Sequence, residues 1–185
     1  MNRFTKFLEN NSSGKNILSL FILTNVVYGF MLMVTIPKTM AFSQGMKLLD
    51  MMPMGYSHDY VNELLTALGE SGRHTYLTSQ IPVDMIYPLL FALTYCLLLA
   101  YFLKKINKLK SPFTYLCLIP IIAGMADYLE NIGIITMLNS YPDLTKNASQ
   151  ITNVFTLLKS VSTTVFFLAL SSVLILFGYK KIKKK

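Results

Sequence analysis

Four long stretches of apolar residues dominate the chain, and shorter polar segments separate them. They cover about residues 16–37, 78–103, 113–138 and 151–179. Each is as long as the ~20 residues that an α-helix needs to cross the hydrocarbon core of a membrane. We therefore predict an all-α fold, a polytopic membrane four-helix bundle that forms a single domain over residues 1–185.

The segment between the first two spans, about residues 38–77, is too long to be a simple turn. Ser57-His58-Asp59 has the composition of a helix start, and Gly69 is a suitable C-cap. Between them, apolar residues recur at helical spacing: Val61, Leu64, Leu65 and Leu68. This pattern predicts a short amphipathic helix over about 58–68, which lies on the outer membrane surface or caps the bundle.

Basic residues are concentrated on one side of a four-span topology. Residues 1–15, 104–110 and 180–185 together hold 12 of the 17 lysines and arginines. Loops rich in lysine and arginine stay in the cytoplasm, so the N-terminus, the middle loop and the C-terminal tail are predicted to be cytoplasmic. The long loop 38–77 is then external.

The composition agrees with a chain whose main partner is the lipid bilayer. Hydrophobic residues make up 53% of the chain and charged residues only 14%, whereas soluble domains carry about 25% charge. The net charge of +8 does not indicate nucleic-acid binding, because the lysines lie beside apolar segments rather than along one soluble face. The predicted location is the cell membrane, as a multi-pass protein.

Four ionisable residues fall inside the predicted spans: Asp84, Asp127, Glu130 and Lys159. A charge at the centre of a membrane helix costs about 2.5–3.5 kcal/mol on insertion scales, and such residues usually face a bundle interior and act there. At 1.5 Å per residue, all four lie roughly 9–17 Å from the outer ends of their helices. Three helices therefore place charge in the same outer half of the membrane.

The spacing of these residues also places them on common helix faces. Asp127, Glu130 and Asn131 share one face of the third span, and Thr156 and Lys159 share one face of the fourth. The candidate catalytic residues are Asp127, Glu130, Lys159 and Asp84, and the candidate substrate-binding residues are Arg73, Tyr87, Asn131, Thr156 and Tyr76.

The two carboxylates of the third span lie one helical turn apart. Asp127 and Glu130 should not both ionise easily there unless Lys159 or Arg73 compensates them, so one is suited to proton exchange. The alternative is a neutralised ion-pair network that only specifies how the helices align.

Three short patterns resemble a group of small bacterial four-helix integral membrane proteins. The patterns are Leu68-Gly69-Glu70-Ser71-Gly72-Arg73 with Tyr76, Asp84 with Tyr87-Pro88, and Asp127-Tyr128-Leu129-Glu130-Asn131. The resemblance spans most of residues 55–160 and implies no activity. It implies that Arg73, Asp84, Asp127, Glu130, Asn131 and Lys159 belong to one recurring site.

Three classes of function fit these features. The first is binding or chemical transformation of a lipid-like or other amphiphilic small molecule. The second is a proton- or cation-linked transporter or channel, which with four helices would act as a homo-oligomer. The third is a structural or signalling membrane subunit. The sequence contains no cofactor motif and no histidine spacing that predicts a metal site, and it leaves open whether the protein is an enzyme.

Overall fold

The computed structural model describes residues 3–110 and 112–183, and every regular element in them is helical. Four helices are long and apolar enough to cross a membrane. These membrane helices, numbered first to fourth, are Gly14–Met40, His58–Lys105, Pro112–Ser140 and Lys146–Ile182. The predicted all-α four-helix bundle is therefore confirmed, and the helices indicate a multi-pass membrane protein. Lys184 and Lys185 of the basic tail lie outside the described residues.

The described residues form the following helical segments, two of which, Arg3–Asn11 and Leu49–Met51, lie outside the membrane helices. In chain order they are α1 (Arg3–Asn11), α2 (Gly14–Phe30), a π-helical turn (Met31–Thr35), α3 (Ile36–Met40), a 3₁₀ turn (Leu49–Met51), α4 (His58–Thr75), a second π-helical turn (Tyr76–Gln80), α5 (Ile81–Asp84), α6 (Tyr87–Lys105), a 3₁₀ segment (Pro112–Leu118), α7 (Ile119–Ser140) and α8 (Lys146–Ile182).

Both π-helical turns precede an Ile-Pro pair. Pro37 and Pro82 are each the second residue after such a turn. The N–H groups of the residues between, Ile36 and Ile81, bond to carbonyls five residues back. Proline has no N–H and its ring clashes with the carbonyl four residues earlier. A wider turn relieves that clash while the helix continues. The first two membrane helices are therefore irregular at matching positions.

Helix α4 begins as the amphipathic pattern predicts, since the Ser57 hydroxyl accepts a bond from the Tyr60 N–H at 3.1 Å. The apolar stripe from Val61 to Leu68 is buried. At Gly69 the backbone leaves the helical region (φ 60°), which glycine adopts without strain. After this break the chain is helical again and continues through the rest of the second membrane helix.

The membrane helices pack mainly in chain order. Helix α2 packs on α6, α6 on α7, and α7 on α8, while α8 also touches α6. Glycines allow the close approaches, as small residues commonly do between membrane helices. A Cβ at Gly133 would collide with the Thr152 side chain, and one at Gly124 would lie 2.8 Å from the Pro88 carbonyl oxygen.

Two apolar clusters form the core. One includes Leu8, Phe91, Leu99, Cys117 and Phe166, and the other includes Leu48, Leu64, Tyr76, Ile134 and Met137. Along the second, third and fourth membrane helices, six of the predicted site residues fall between the positions that feed these clusters: Asp84, Asp127, Glu130, Asn131, Thr156 and Lys159. The polar side chains therefore form a layer in the interior of the bundle.

Candidate functional site

An ion-pair cluster joins the third and fourth membrane helices. Lys159 on α8 lies 3.2 Å from Asp127 Oδ1 and also forms an ion pair with Glu130 Oε2. Asp127 and Glu130 are one turn apart on α7, so a single ammonium reaches both. Of the two residues that could compensate these carboxylates, Lys159 is thus the one that is paired with both.

Hydrogen bonds hold the other side of Glu130. The Thr156 hydroxyl donates to Glu130 Oε1 at 2.8 Å, and Thr156 Oγ1 lies 3.3 Å from the hydroxyl of Tyr56. Burial raises the pKa of the Tyr56 hydroxyl above its ordinary value, so this group stays protonated. Glu130 has no exposed surface, and it is fixed from both sides.

Asp84 and Asn131 form the second part of the cluster. The Asn131 side-chain amide donates to the backbone carbonyl of Asp84 at 3.1 Å, which ties α7 to the end of α5. Asp84 is only 3% exposed. Its Oδ2 atom and the Asn131 Oδ1 atom are buried and have no hydrogen-bond partner among the described residues. Such unpartnered buried oxygens are uncommon and costly.

Asp50 belongs to the same region, and the sequence analysis missed it. The hydroxyl of Tyr76 donates to Asp50 Oδ1 at 2.6 Å, and the side-chain amide of Gln80 donates to Oδ2 at 2.9 Å. Asp50 lies on the 3₁₀ turn Leu49–Met51, in a methionine-rich loop. The only available signal was a lone acidic residue within an apolar stretch.

Arg73 does not join this cluster. Its Nη1 atom donates to the Leu65 carbonyl oxygen at 2.8 Å, and its guanidinium lies 4.1 Å from the centroid of the Tyr141 ring. The break at Gly69 lies between Leu65 and Arg73, so the Arg73 side chain contacts the part of α4 that precedes the break. Arg73, which the resemblance groups with Asp84 in one site, therefore lies apart from it.

A cavity of about 460 Å³ lies beside the ion-pair cluster. Its walls come from all four membrane helices and from the loop that carries Asp50. The lining residues are Tyr28, Met31, Leu32, Ile36, Asp50, Met51, Pro53, Asp84, Tyr87, Phe91, Ala123, Asp127, Thr156, Lys159, Ser160, Thr163 and Thr164.

The cavity is open where its lining residues are exposed, on the first and fourth membrane helices and at Pro53 in the loop that carries Asp50. Tyr28 and Leu32 lie on one side of the opening and are 43% and 45% exposed. Thr163 and Thr164 of α8 lie on the other side, and Thr164 is exposed. The second and third membrane helices form the floor, with Tyr87, Phe91 and Asp127. In a membrane, such an opening faces lipid.

The structure brings most of the predicted residues to this cavity. Asp84, Asp127, Lys159, Tyr87 and Thr156 line it. Glu130 and Asn131 are buried directly behind this layer, through their bonds to Thr156, Lys159 and Asp84. Tyr76 does not line the cavity but supports its edge by bonding Asp50, and Arg73 lies elsewhere.

Comparison with protein-family models, with curated proteins and with solved structures found no match. The resemblance to small bacterial four-helix membrane proteins therefore stays a prediction. The function is therefore inferred from the cavity and its residues.

Proposed function

We propose that the protein binds a lipid-like or other amphiphilic small molecule in this lateral cavity. The observation that carries the proposal is the distribution of polarity within the cavity. The exposed part of the lining includes Tyr28 and Leu32, and the interior includes Asp84, Asp127 and Lys159. An amphiphile that enters from the membrane would keep its tail at the opening and bring its polar head to the charged residues.

The cavity has a size that suits such a ligand. Small-molecule sites typically enclose about 300–1,000 Å³ and are mostly apolar with a few placed polar groups. A volume of about 460 Å³ accommodates a head group and the start of a chain. The remainder of the chain would lie along the exposed surface of the first membrane helix.

The two carboxylates of the third membrane helix differ in access, which separates their roles. Asp127 lines the cavity, whereas Glu130 lies behind Lys159 and Thr156. Asp127 and the Lys159 ammonium are the groups that a bound head can reach. In this proposal they serve in acid–base chemistry or head-group binding, and Glu130 positions Lys159.

Photolabelling tests the proposal. A long-chain amphiphile with a diazirine in its tail is added to the purified protein in neutral detergent, and labelled residues are mapped by mass spectrometry. We expect labelling around Tyr28, Leu32 and Thr164 that excess unlabelled amphiphile removes. The variant Thr163→Phe, which fills the opening, should abolish this displaceable labelling.

Ser171→Phe is the matched control, because Ser171 is an exposed residue of the same helix outside the cavity. It should label like the unmodified protein. The proposal of a binding site in the cavity is contradicted if the unlabelled competitor does not reduce the labelling. It is also contradicted if Thr163→Phe leaves the labelling unchanged.

The transporter alternative has less support. Beyond Asp127 and Lys159, the described part of the bundle continues into the apolar cluster that contains Phe91, Leu99 and Phe166. A polar path across the membrane would have to pass through these packed side chains.

A further inference from the structure

The charges around the cavity are unbalanced, which bears on the head group of the proposed amphiphile. Asp50, Asp84 and Asp127 line the cavity, and Lys159 is the one cationic residue among the lining residues. Lys159 is already paired with Asp127 and with Glu130 behind it. The carboxyl groups therefore outnumber the cation, and no unpaired cationic residue of the described chain lines the cavity to bind an anionic head.

The oxygen atoms of these carboxylates are not equally available. Both oxygens of Asp50 accept hydrogen bonds, from Tyr76 and Gln80. Asp127 pairs with Lys159 through Oδ1. Asp84 alone combines a position on the cavity wall with a buried Oδ2 that has no partner among the described residues. A buried carboxyl group in that position either holds its proton or is compensated by a donor or a cation, and an ammonium head would be such a cation.

Aromatic rings line the cavity on the same helix as Asp84 and opposite it. Tyr28 and Tyr87 are stacked with their centroids 5.3 Å apart, and Phe91 lies 5.9 Å from Tyr87. All three are cavity-lining residues. The faces of such rings attract cations, and sites for quaternary ammonium groups are built from them.

We propose that the cavity binds the ammonium head of an amphiphile, with Asp84 as its counter-ion and Tyr28, Tyr87 and Phe91 as its aromatic wall. This inference rests on the proposed function, because it concerns the same cavity. An organic cation is favoured over a metal ion, since no three histidine, cysteine, aspartate or glutamate residues in the described ranges are placed to hold a metal.

A set of probes with the same tail and different heads tests the inference. Binding of dodecyltrimethylammonium, dodecylamine, dodecylglycerol and dodecyl phosphate is measured by calorimetry on the full chain in a neutral maltoside detergent. We expect the two ammonium probes to bind more tightly than the neutral and anionic ones. Asp84→Asn should weaken ammonium binding about tenfold or more, the usual loss for a bond to a charged group.

Asp59→Asn is the matched control, because Asp59 is exposed on α4 and outside the cavity. It makes the same change in net charge and should leave the binding of all four probes unchanged. Tyr87→Leu provides a second, independent variant in case Asp84→Asn does not fold. It should weaken dodecyltrimethylammonium and leave dodecylglycerol unaffected.

The outcomes separate the two proposals. The ammonium inference is overturned if dodecylglycerol or dodecyl phosphate binds as tightly as the ammonium probes or more tightly. It is also overturned if the preference for ammonium survives both Asp84→Asn and Tyr87→Leu. Either result leaves the proposed amphiphile site in place. Absence of binding for all four probes overturns both.

Discussion

At the scale of single residues, Lys159 is the residue on which the polar layer depends. It is the cation that compensates both Asp127 and Glu130, and its side chain is only 19% exposed. A buried ion pair adds little net stability when complete, but loss of one partner leaves an uncompensated charge. The pairing therefore makes Lys159 more important to folding than an exposed lysine.

Replacement of Lys159 by methionine keeps an unbranched side chain only one atom shorter and removes the charge. We expect Lys159→Met to lower the free energy of unfolding by about 3–5 kcal/mol, the cost of breaking a buried pair. Unfolding by dodecyl sulfate in mixed micelles measures this. Lys146→Met, at an exposed position of the same helix, should have little effect. Equal stability of the two variants would show that Lys159 does not compensate the carboxylates.

Neutralising the partners should rescue that variant. When Asp127→Asn and Glu130→Gln are added to Lys159→Met, no buried charge is left without a partner. We expect most of the lost unfolding free energy to return, in the same measurement. If the triple variant is no more stable than Lys159→Met, the loss comes from packing of the lysine stem instead of its charge.

Asp50 provides a second prediction at this scale. Asp50→Ala leaves the hydroxyl of the fully buried Tyr76 and the amide of Gln80 without their acceptor. The expected cost is about 1–3 kcal/mol of unfolding free energy. Asp59→Ala removes an exposed acid from α4 and is the control. Equal stability of the two variants would mean that the loop is not tied to the second membrane helix through Asp50.

At the scale of helices, the sequence predicted those parts of the site that depend on periodicity alone. Asp127, Glu130 and Asn131 share a face because a helix places residues three and four apart together, and Lys159 reaches that face from α8. Asp50 could not be predicted, because its contacts with Tyr76 and Gln80 bridge 26 and 30 positions of the chain through an irregular loop.

Arg73 shows why regular spacing was not sufficient in the second membrane helix. In one continuous α-helix, Arg73 and Asp84 would share a face, because they are eleven positions apart. The structure instead has a break at Gly69 and a π-helical turn over Tyr76–Gln80. A π-helical turn contains more residues than an α-helical one. The residues before the turn are therefore rotated about the helix axis relative to the residues after it. The Gly69 break also leaves Arg73 beside the Leu65 carbonyl.

Helix contact at Gly133 gives a prediction at this scale. A methyl group at this position of α7 would collide with Thr152 of α8, so Gly133→Ala should push apart the two helices that carry the ion pair. We expect a loss of about 1–3 kcal/mol in unfolding free energy, as for other overpacked sites. Gly29→Ala, where nothing lies within 4 Å, should be neutral. A neutral Gly133→Ala would argue against the close approach.

At the scale of the whole molecule, the polar layer and the cavity beside it are where we propose that the amphiphile binds. Apolar clusters lie on both sides of the layer along the bundle, while the opening of the cavity includes exposed residues of the first and fourth membrane helices. The geometry therefore favours exchange with the lipid phase over passage across the membrane. Which side of the membrane lies nearer to the site depends on the orientation of the chain.

Orientation is testable with single cysteines at exposed positions on the two sides. The excess of lysine in 1–15, 104–110 and 180–185 predicts that Lys105 is cytoplasmic and that Asp143, between the third and fourth membrane helices, is external. A membrane-impermeant maleimide should label Asp143→Cys in intact cells, and Lys105→Cys only after permeabilisation. The native Cys96 and Cys117 are buried, so the unmodified protein gives the background. The opposite pattern would place the Asp50 loop, and the cavity beneath it, towards the cytoplasm, and the amphiphile would then enter from the inner leaflet.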